Sequence, residues 1–260
     1  MLIGLVIVIP PTAVLASPSG LSPGVLGLLA AAGATNVVGL LVEYVAFRRG
    51  KVGLVTAIAS TEGMVAAVIS AVAGAQLSLT TGLLLGLVTL GVAVAAASPD
   101  ADARARKERP AEGTADGASP RRRRIPWGVL AVSTALLFGV SLYTTGRAGE
   151  QVSVLWTVVP ARLFGSGLVA APLAARRRLR LTRRALPLVA AAGAAEVLGV
   201  LSYAIGARHN LPVAAVLSAQ FAALTAVAAY FIHGQRLSRT QVAGLAAVVA
   251  GVSLLAAFSP

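Results

Sequence analysis

The stretch "AAAGATNVVGLL" at residues 30–41 occurs again, as "AAAGAAEVLGVL", at residues 190–201. A shift of 160 residues without a gap aligns 29–97 with 189–257 and gives 21 identities among 69 pairs. Alanine-rich composition raises such a score, but it does not explain a further matched block, "GAQLSLT" against "GQRLSRT". The chain is therefore expected to contain two copies of one structural unit, and residues 160 apart are called equivalent below.

The composition predicts a membrane protein. Of the 260 residues, 57% are hydrophobic and 12% are charged, and the mean hydropathy is +0.84. So little charge does not cover a soluble domain of this size. The formal net charge of +13 lies in short basic blocks without interleaved aromatic residues, so no nucleic-acid partner is expected. Because the chain has no cysteine, it has neither a disulfide framework nor a thiolate metal site.

Nine apolar runs approach the length of about 20 residues that a spanning helix needs. They are 1–16, 24–47, 52–74, 79–97, 126–145, 152–175, 185–206, 211–233 and 240–258. Residues 98–125 mix both signs of charge with Ala, Pro and Gly, which predicts a flexible linker. The expected fold is an all-α, polytopic membrane helix bundle with nine helices. Its N-terminal half is 1–97, and its five-helix C-terminal half is 126–260.

The basic residues predict the orientation. If the linker and the loops at 48–51, 176–184 and 234–239 are cytoplasmic, they hold 19 of the 22 Lys and Arg residues. The loop at 48–51 then lies inside, whereas its equivalent near Arg208 lies outside. We therefore expect two inverted-topology halves in an integral, multi-pass protein of the inner (plasma) membrane.

The first run, "MLIGLVIVIPPTAVLAS", has an alternative interpretation as the core of a signal peptide with cleavage near Ala16. A secretory signal normally carries positive charge before its apolar core, and this run has none there. The repeat also favours a retained helix, because it aligns residue 1 with residue 161, inside the run at 152–175.

Two segments carry a family resemblance. The ending "GQRLSRTQVAGLAAVVAGVSLL" at 234–255 and its equivalent "GAQLSLTTGLLLGLVTLGVAV" at 74–94 resemble the EamA-type branch of the drug/metabolite transporter superfamily. The resemblance covers the chain outside the linker. It implies a ten-helix secondary transporter of two inverted five-helix halves, which exports amino acids, other small metabolites or drug-like compounds. The motifs are small and apolar residues, so they specify architecture better than substrate.

The chain departs from the family pattern in three places. Only four runs precede the linker, so the family's first helix is missing and residue 1 falls within the second. A late start or a truncated gene is the preferred explanation, and a true nine-helix protein is the alternative. The family's Glu before the "LS" loop is replaced by Ala75-Gln76 and by Gln235-Arg236. Because the C-terminus is uncharged whereas the loop at 176–184 is rich in arginine, the positive-inside rule gives an orientation opposite to the one usual in the family.

Four polar residues are expected near the bilayer centre. Asn36, Glu62, Arg162 and Glu196 each lie within two residues of the midpoint of their run. A charge at that depth costs about 2.5–3.5 kcal/mol on insertion scales unless it is paired or faces water. We therefore expect a central cavity in which Arg162 pairs with Glu62, Glu196 or both, and Asn36 supplies a neutral hydrogen-bonding group.

Helical spacing extends this group. Glu43 follows Asn36, and Tyr203 follows Glu196, by seven residues, which is close to two helical turns. Ser60 and Gln220 are equivalents on the neighbouring helices. The predicted cavity residues are Asn36, Glu62, Arg162, Glu196, Tyr203 and Gln220, with Glu43 and Ser60 as weaker candidates.

Some of these residues have an alternative, structural role. Glu43 is near the end of its run and can neutralise the adjacent arginines, and a buried Arg162 can hold helices together without contacting a solute. His209 and His233 lack ligand-like spacing to other His, Asp or Glu residues, so no metal site is expected.

The expected function is secondary transport by alternating access around a midplane cavity, with Glu62 or Glu196 binding a coupling proton. The expected partners are a small-molecule substrate, the lipid bilayer and protons, and a homodimer is left open. No glycine-rich phosphate loop, HExxH sequence or Ser/His/Asp set is present, so neither an enzyme nor a cofactor is expected. The alternatives are an uncoupled facilitator, a non-transporting membrane scaffold or regulatory protein, and a degenerate truncated transporter.

Overall fold

A computed structural model describes residues 2–16, 20–50, 52–97, 126–176, 185–220 and 239–258. These residues are helical, with short turns and no strand. The predicted all-α fold is therefore confirmed for this part of the chain. The predicted linker and most of the run at 211–233 lie outside the described residues.

The described part of the first copy contains five helices: α1 (Leu2–Leu15), α2 (Pro23–Arg49), α3 (Val52–Ala59), α4 (Glu62–Val72) and α5 (Leu79–Ala97). The second copy contains α6 (Trp127–Gly149), α7 (Val154–Gly165), a π-helical turn (Ser166–Ala170), α8 (Ala171–Ala175), α9 (Leu186–Ser218) and α10 (Arg239–Phe258). Serine and proline start α2, because Ser22 Oγ accepts a hydrogen bond from Val25 N (3.3 Å) and Pro23 occupies the first helical position.

Among the residues that the structure describes, five segments are long and apolar enough to cross a membrane: Pro23–Arg49, Val55–Val72, Trp127–Gly149, Val154–Ala175 and Leu186–Ser218. Three shorter apolar helices accompany them: Leu2–Leu15, Leu79–Val94 and Val242–Val252. The chain is therefore a helical, membrane-embedded protein. The count of nine spans stays a prediction.

One boundary differs from the predicted ones. The run at 52–74 is interrupted by a turn at Ser60–Thr61, so Glu62 begins a new helix in mid-run. The boundary expected before residue 211 is present within α9, because the backbone of Asn210 (φ −153°, ψ 96°) is not helical and two helices meet there at a kink, without a longer loop. Asn210 acts as a helix cap inside α9, because its Oδ1 accepts a hydrogen bond from Val213 N (3.2 Å) and Pro212 follows it. His209, expected in a loop, lies beside this kink.

The packing surrounds one region with helices from both copies. Helix α2 lies along α6, α4 packs between α6 and α9, and α7 contacts α1, α2 and α9. Glycines permit the closest approaches: a Cβ atom at Gly33 would lie 2.7 Å from the ring of Phe164, and one at Gly63 would lie 2.5 Å from the carbonyl oxygen of Ala215. Small residues therefore fix α2 against α7 and α4 against α9.

Candidate functional site

A cavity of about 670 Å³ lies between α2, α4, α6, α7 and α9. Five residues predicted from sequence line it together: Asn36, Glu62, Arg162, Glu196 and Tyr203. They come from four helices of both copies. The volume is within the range of about 300–1,000 Å³ that is typical of small-molecule sites.

The cavity wall contains an ion pair between two helices. Arg162 Nη1 lies 2.6 Å from Glu196 Oε1, so α7 is joined to α9. The arginine is 1% exposed, whereas the glutamate side chain is 44% exposed. Gly4 of α1 makes room for the guanidinium, since a Cβ atom there would lie 3.0 Å from Arg162 Nε. Arg162 is thus enclosed on one side by α1 and faces a carboxylate on the other.

Glu62 occupies the first turn of α4, directly after the break at Ser60–Thr61. The positive end of a helix dipole favours a carboxylate at this position. Glu43 is near enough to act on Glu62 electrostatically. No described side chain forms an ion pair or a hydrogen bond with Glu62. The charged residues described on the cavity wall are Glu62, Arg162 and Glu196, which gives one more acid than base.

Tyr203 has a structural contact as well as a position on the cavity wall. Its hydroxyl group donates a hydrogen bond to the carbonyl oxygen of Leu142 (2.6 Å), and the residue is buried. Tyr203 therefore ties α9 to α6 at the edge of the cavity.

Three predicted residues do not line this cavity. Ser60 is buried, and its hydroxyl donates to Thr56 O (2.7 Å) within α3. Glu43 is half-buried on α2 outside the lining. Gln220 lies just beyond α9, and its buried Nε2 has no hydrogen-bond partner in the described part of the chain. A role for these three residues in substrate binding stays a prediction, and none of them lies on the wall of this cavity.

The sequence reasoning missed several groups that shape the site. Ser141 and Thr145 of α6, together with Thr157 of α7, add hydroxyl groups to the lining. Ser141 and Thr145 are four residues apart on one helix face, which is a signal that could have been used. Gly4 gave no such signal, because its function depends on a side chain 158 positions later.

Among the residues described, no group of three or more His, Asp or Glu side chains is placed to hold a metal ion.

Comparison with models of known protein families gives no match, and no curated protein matches the chain. The resemblance to EamA-type transporters therefore stays a prediction.

Proposed function

We propose that the protein is a multi-pass secondary transporter of the inner (plasma) membrane, which moves small metabolites or drug-like compounds by alternating access. The observation that carries the proposal is the cavity, because it places Asn36, Glu62, Arg162 and Glu196 from both copies on one wall near the middle of apolar helices. Ionisable residues at that depth are costly, and those that face a cavity typically serve transport.

The contact between α5 and α10 supports inverted copies. A Cβ atom at Gly91 would lie 2.8 Å from Gly244 O, and one at Gly251 would lie 3.6 Å from Leu84 O. Gly91 and Gly251 are equivalent, as are Leu84 and Gly244, so the contact is reciprocal. Leu84 and Gly91 are seven residues apart, about 10 Å along α5, and Gly244 and Gly251 have the same separation along α10. Because Gly91 lies near Gly244 while Leu84 lies near Gly251, the two helices run in opposite directions, and a parallel pair could not make both contacts. Antiparallel copies make both.

Interrupted helices also support the proposal. The turn at Ser60–Thr61 precedes Glu62, and α9 ends at Ser218, two residues before Gln220, the equivalent of Ser60. Transporters with inverted repeats commonly build their sites from such discontinuous helices, whose ends supply polar groups. Alternating access then follows from movement of the two copies around the cavity between them.

The charges favour a substrate with a cationic group. Glu196 already faces Arg162, whereas Glu62 is opposed by no described cation. An amine, including that of an amino acid, could therefore bind Glu62 while apolar groups fill the rest of the cavity. A coupling proton on Glu62 or Glu196 would compete with such a substrate, which is the usual basis of proton-driven export.

Flux measurements in proteoliposomes test the proposal. A panel of amino acids and amphipathic drugs, assayed with and without a pH gradient, should contain at least one transported compound. Glu62→Gln and Glu196→Gln should abolish pH-driven flux while insertion stays intact. Glu150→Gln is the control, because its carboxylate pairs with Arg147 on the surface and lies outside the cavity.

The outcomes separate the alternatives. Flux that survives both cavity substitutions would reject the proton-binding role and favour an uncoupled facilitator. An absence of flux for the whole panel, from well-folded protein, would favour the scaffold or regulatory function.

A further inference from the structure

A second pocket, of about 320 Å³, lies where α4 and α6 end and α9 has its kink. It is called the end pocket. Its wall is largely polar and includes Gln76, Tyr143, Arg147, Glu150, Arg208 and Asn210. The two arginines and Glu150 are exposed. Because exposed charges at helix ends avoid the lipid core, the end pocket is expected at a membrane surface, in contact with water.

The residues on either side of the stretch at 221–238 lie away from the end pocket. Ser218 lines the larger cavity described above, which is called the main cavity. Gly91 packs near Gly244, so Arg239 at the start of α10 lies toward the Ala97 end of α5. The end pocket is beside the opposite end of α5, since its wall includes residues 73–77, just before that helix begins.

A thin apolar layer separates the end pocket from the main cavity. Leu142 and Tyr203 line the main cavity, whereas Tyr143, Ala207 and Leu211 line the end pocket. These five side chains pack in one cluster with Ala66. On α6, adjacent residues face different pockets, and on α9 the change takes one helical turn. The layer is therefore about one side chain thick. It is called the septum and consists of Ala66, Leu142, Tyr143, Tyr203, Ala207 and Leu211.

The septum spans the kink of α9. Tyr203 precedes the non-helical Asn210, and Leu211 follows it. Both side chains are held against α6: the Tyr203 hydroxyl donates to Leu142 O (2.6 Å), and a Cβ atom at Gly146 would lie 2.7 Å from Leu211 Cδ1. A residue at a helix junction can absorb the change of φ and ψ that a hinge needs. The two parts of α9 can therefore move relative to each other and to α6.

We propose that the septum is a gate of the transport route and that the end pocket is the vestibule beyond it. This proposal rests on the proposed transport function, because alternating access requires a layer that closes the site on one side. An apolar constriction blocks polar solutes until it widens. The positive-inside rule places Arg147 and Arg208, and hence the end pocket, outside. An exported compound passes from the main cavity through the septum into the end pocket.

Cysteine accessibility tests whether the septum opens. The chain has no cysteine, so Ala66→Cys places a single thiol in the septum, at a residue that is 0% exposed. Ala131→Cys is the matched control, because Ala131 is equally buried, in a separate apolar cluster. The full chain in lipid nanodiscs is treated with trimethylammonium-ethyl methanethiosulfonate, a charged reagent that reaches a thiol only through water. Ala66→Cys should react, and Ala131→Cys should not.

Loss of the hydrogen bond across the septum should make it open more often. Tyr203→Phe, added to Ala66→Cys, should raise the labelling rate about fivefold, the effect of one lost neutral hydrogen bond. The same substitution added to Ala131→Cys should leave that residue unlabelled.

A reversible cross-link between α6 and α9 tests whether transport needs the gate. In Gly146→Cys/Leu211→Cys, the Cβ atom of residue 146 lies where Leu211 Cγ would be 2.9 Å away, one bond from the Cβ atom of residue 211. This spacing suits a disulfide, whose Cβ atoms are about 3.5–4.5 Å apart. Oxidation should abolish the flux of a transported compound in proteoliposomes, and dithiothreitol should restore it. The two single-cysteine variants, treated with the same oxidant, are the controls.

The outcomes distinguish the gate from the transport function. Flux that continues through the formed disulfide overturns the gate and leaves transport intact. Equal labelling of Ala66→Cys and Ala131→Cys, or a rate that Tyr203→Phe does not change, also overturns it. If no compound is transported, the proposed function fails, and the labelling rates still decide whether the septum opens. Size-exclusion profiles and thermal unfolding show whether each variant is folded, and if the double-cysteine variant is not, the labelling rates decide alone.

Discussion

Helices α2 and α9 contain the same repeated sequence and have different surroundings. In α2 the side formed by Leu29, Ala32 and Gly39 is buried under α6, whereas the equivalent residues of α9 are exposed. The residues on the two sides are nearly the same, so the difference lies in the neighbours. A repeat therefore conserves a surface without fixing what covers it.

The exchange of Asn36 for Glu196 follows from a second difference between the copies. Glu196 pairs with Arg162, and the residue equivalent to Arg162 in the first copy is Leu2. A carboxylate at residue 36 would have no equivalent arginine to face. The carboxylate therefore occurs in the second copy, where Arg162 pairs with it, as expected in an apolar environment in which an unpaired charge is costly.

Substitutions at the equivalent residues Glu196 and Asn36 should show the largest difference in stability between the two copies. Glu196→Leu takes the carboxylate from the almost fully buried Arg162 and should cost about 3 kcal/mol, the low end for a broken buried pair because Glu196 is half exposed. Asn36→Leu should cost less than about 1 kcal/mol, since no described group hydrogen-bonds with it. Equilibrium unfolding in mixed detergent micelles measures both values. The double variant Arg162→Leu/Glu196→Leu should regain most of the stability lost in Glu196→Leu. Equal losses of stability for Glu196→Leu and Asn36→Leu would contradict this account.

Leucine in place of the equivalent glycines Gly39 and Gly199 should give the next largest difference in stability. Gly39→Leu must displace Phe138 and is expected to cost about 2 kcal/mol through overpacking. Gly199→Leu meets no described neighbour and should be nearly neutral in the isolated protein. Thermal unfolding of the two variants, read against Gly27→Leu as an open-site control on α2, provides the measurement. Similar losses at residues 39 and 199 would mean that the face of α9 is covered within the chain.

The equivalent arginines Arg48 and Arg208 should show the smallest difference. Arg208 donates hydrogen bonds to Gly149 O (2.7 Å) and Val152 O (2.6 Å), where it satisfies carbonyl groups around the end of α6. Arg208→Ala is expected to cost about 1 kcal/mol. Arg48 is exposed at the end of α2, so Arg48→Ala should change the free energy of unfolding by less than about 0.5 kcal/mol. Denaturant titration of both variants measures the two free energies of unfolding. A larger loss of stability for Arg48→Ala than for Arg208→Ala would contradict this expectation.

The sequence predicted the all-helical class, the long apolar segments and the shared position of Asn36, Glu62, Arg162 and Glu196 on one cavity wall. It did so because hydropathy and depth in the bilayer can be counted along a single chain. It did not predict the break before Glu62, where the Thr61 hydroxyl donates back to Ile58 O (2.7 Å) instead of capping α4. It placed a helix boundary before residue 211, and there an asparagine cap followed by proline lets one helix follow another without a longer loop.

By itself, the sequence determined that this protein is helical and membrane-embedded, because composition and periodicity are properties of the chain. It also predicts a duplicated unit and polar residues at mid-membrane depth. The tertiary structure decided that Glu196, rather than Glu62, faces Arg162 and that Gly4 makes room for that arginine. It also decided that α6 covers one side of α2, whereas the equivalent residues of α9 are exposed. These contacts join residues far apart in the chain, and only the packing of helices brings them within hydrogen-bonding or van der Waals distance.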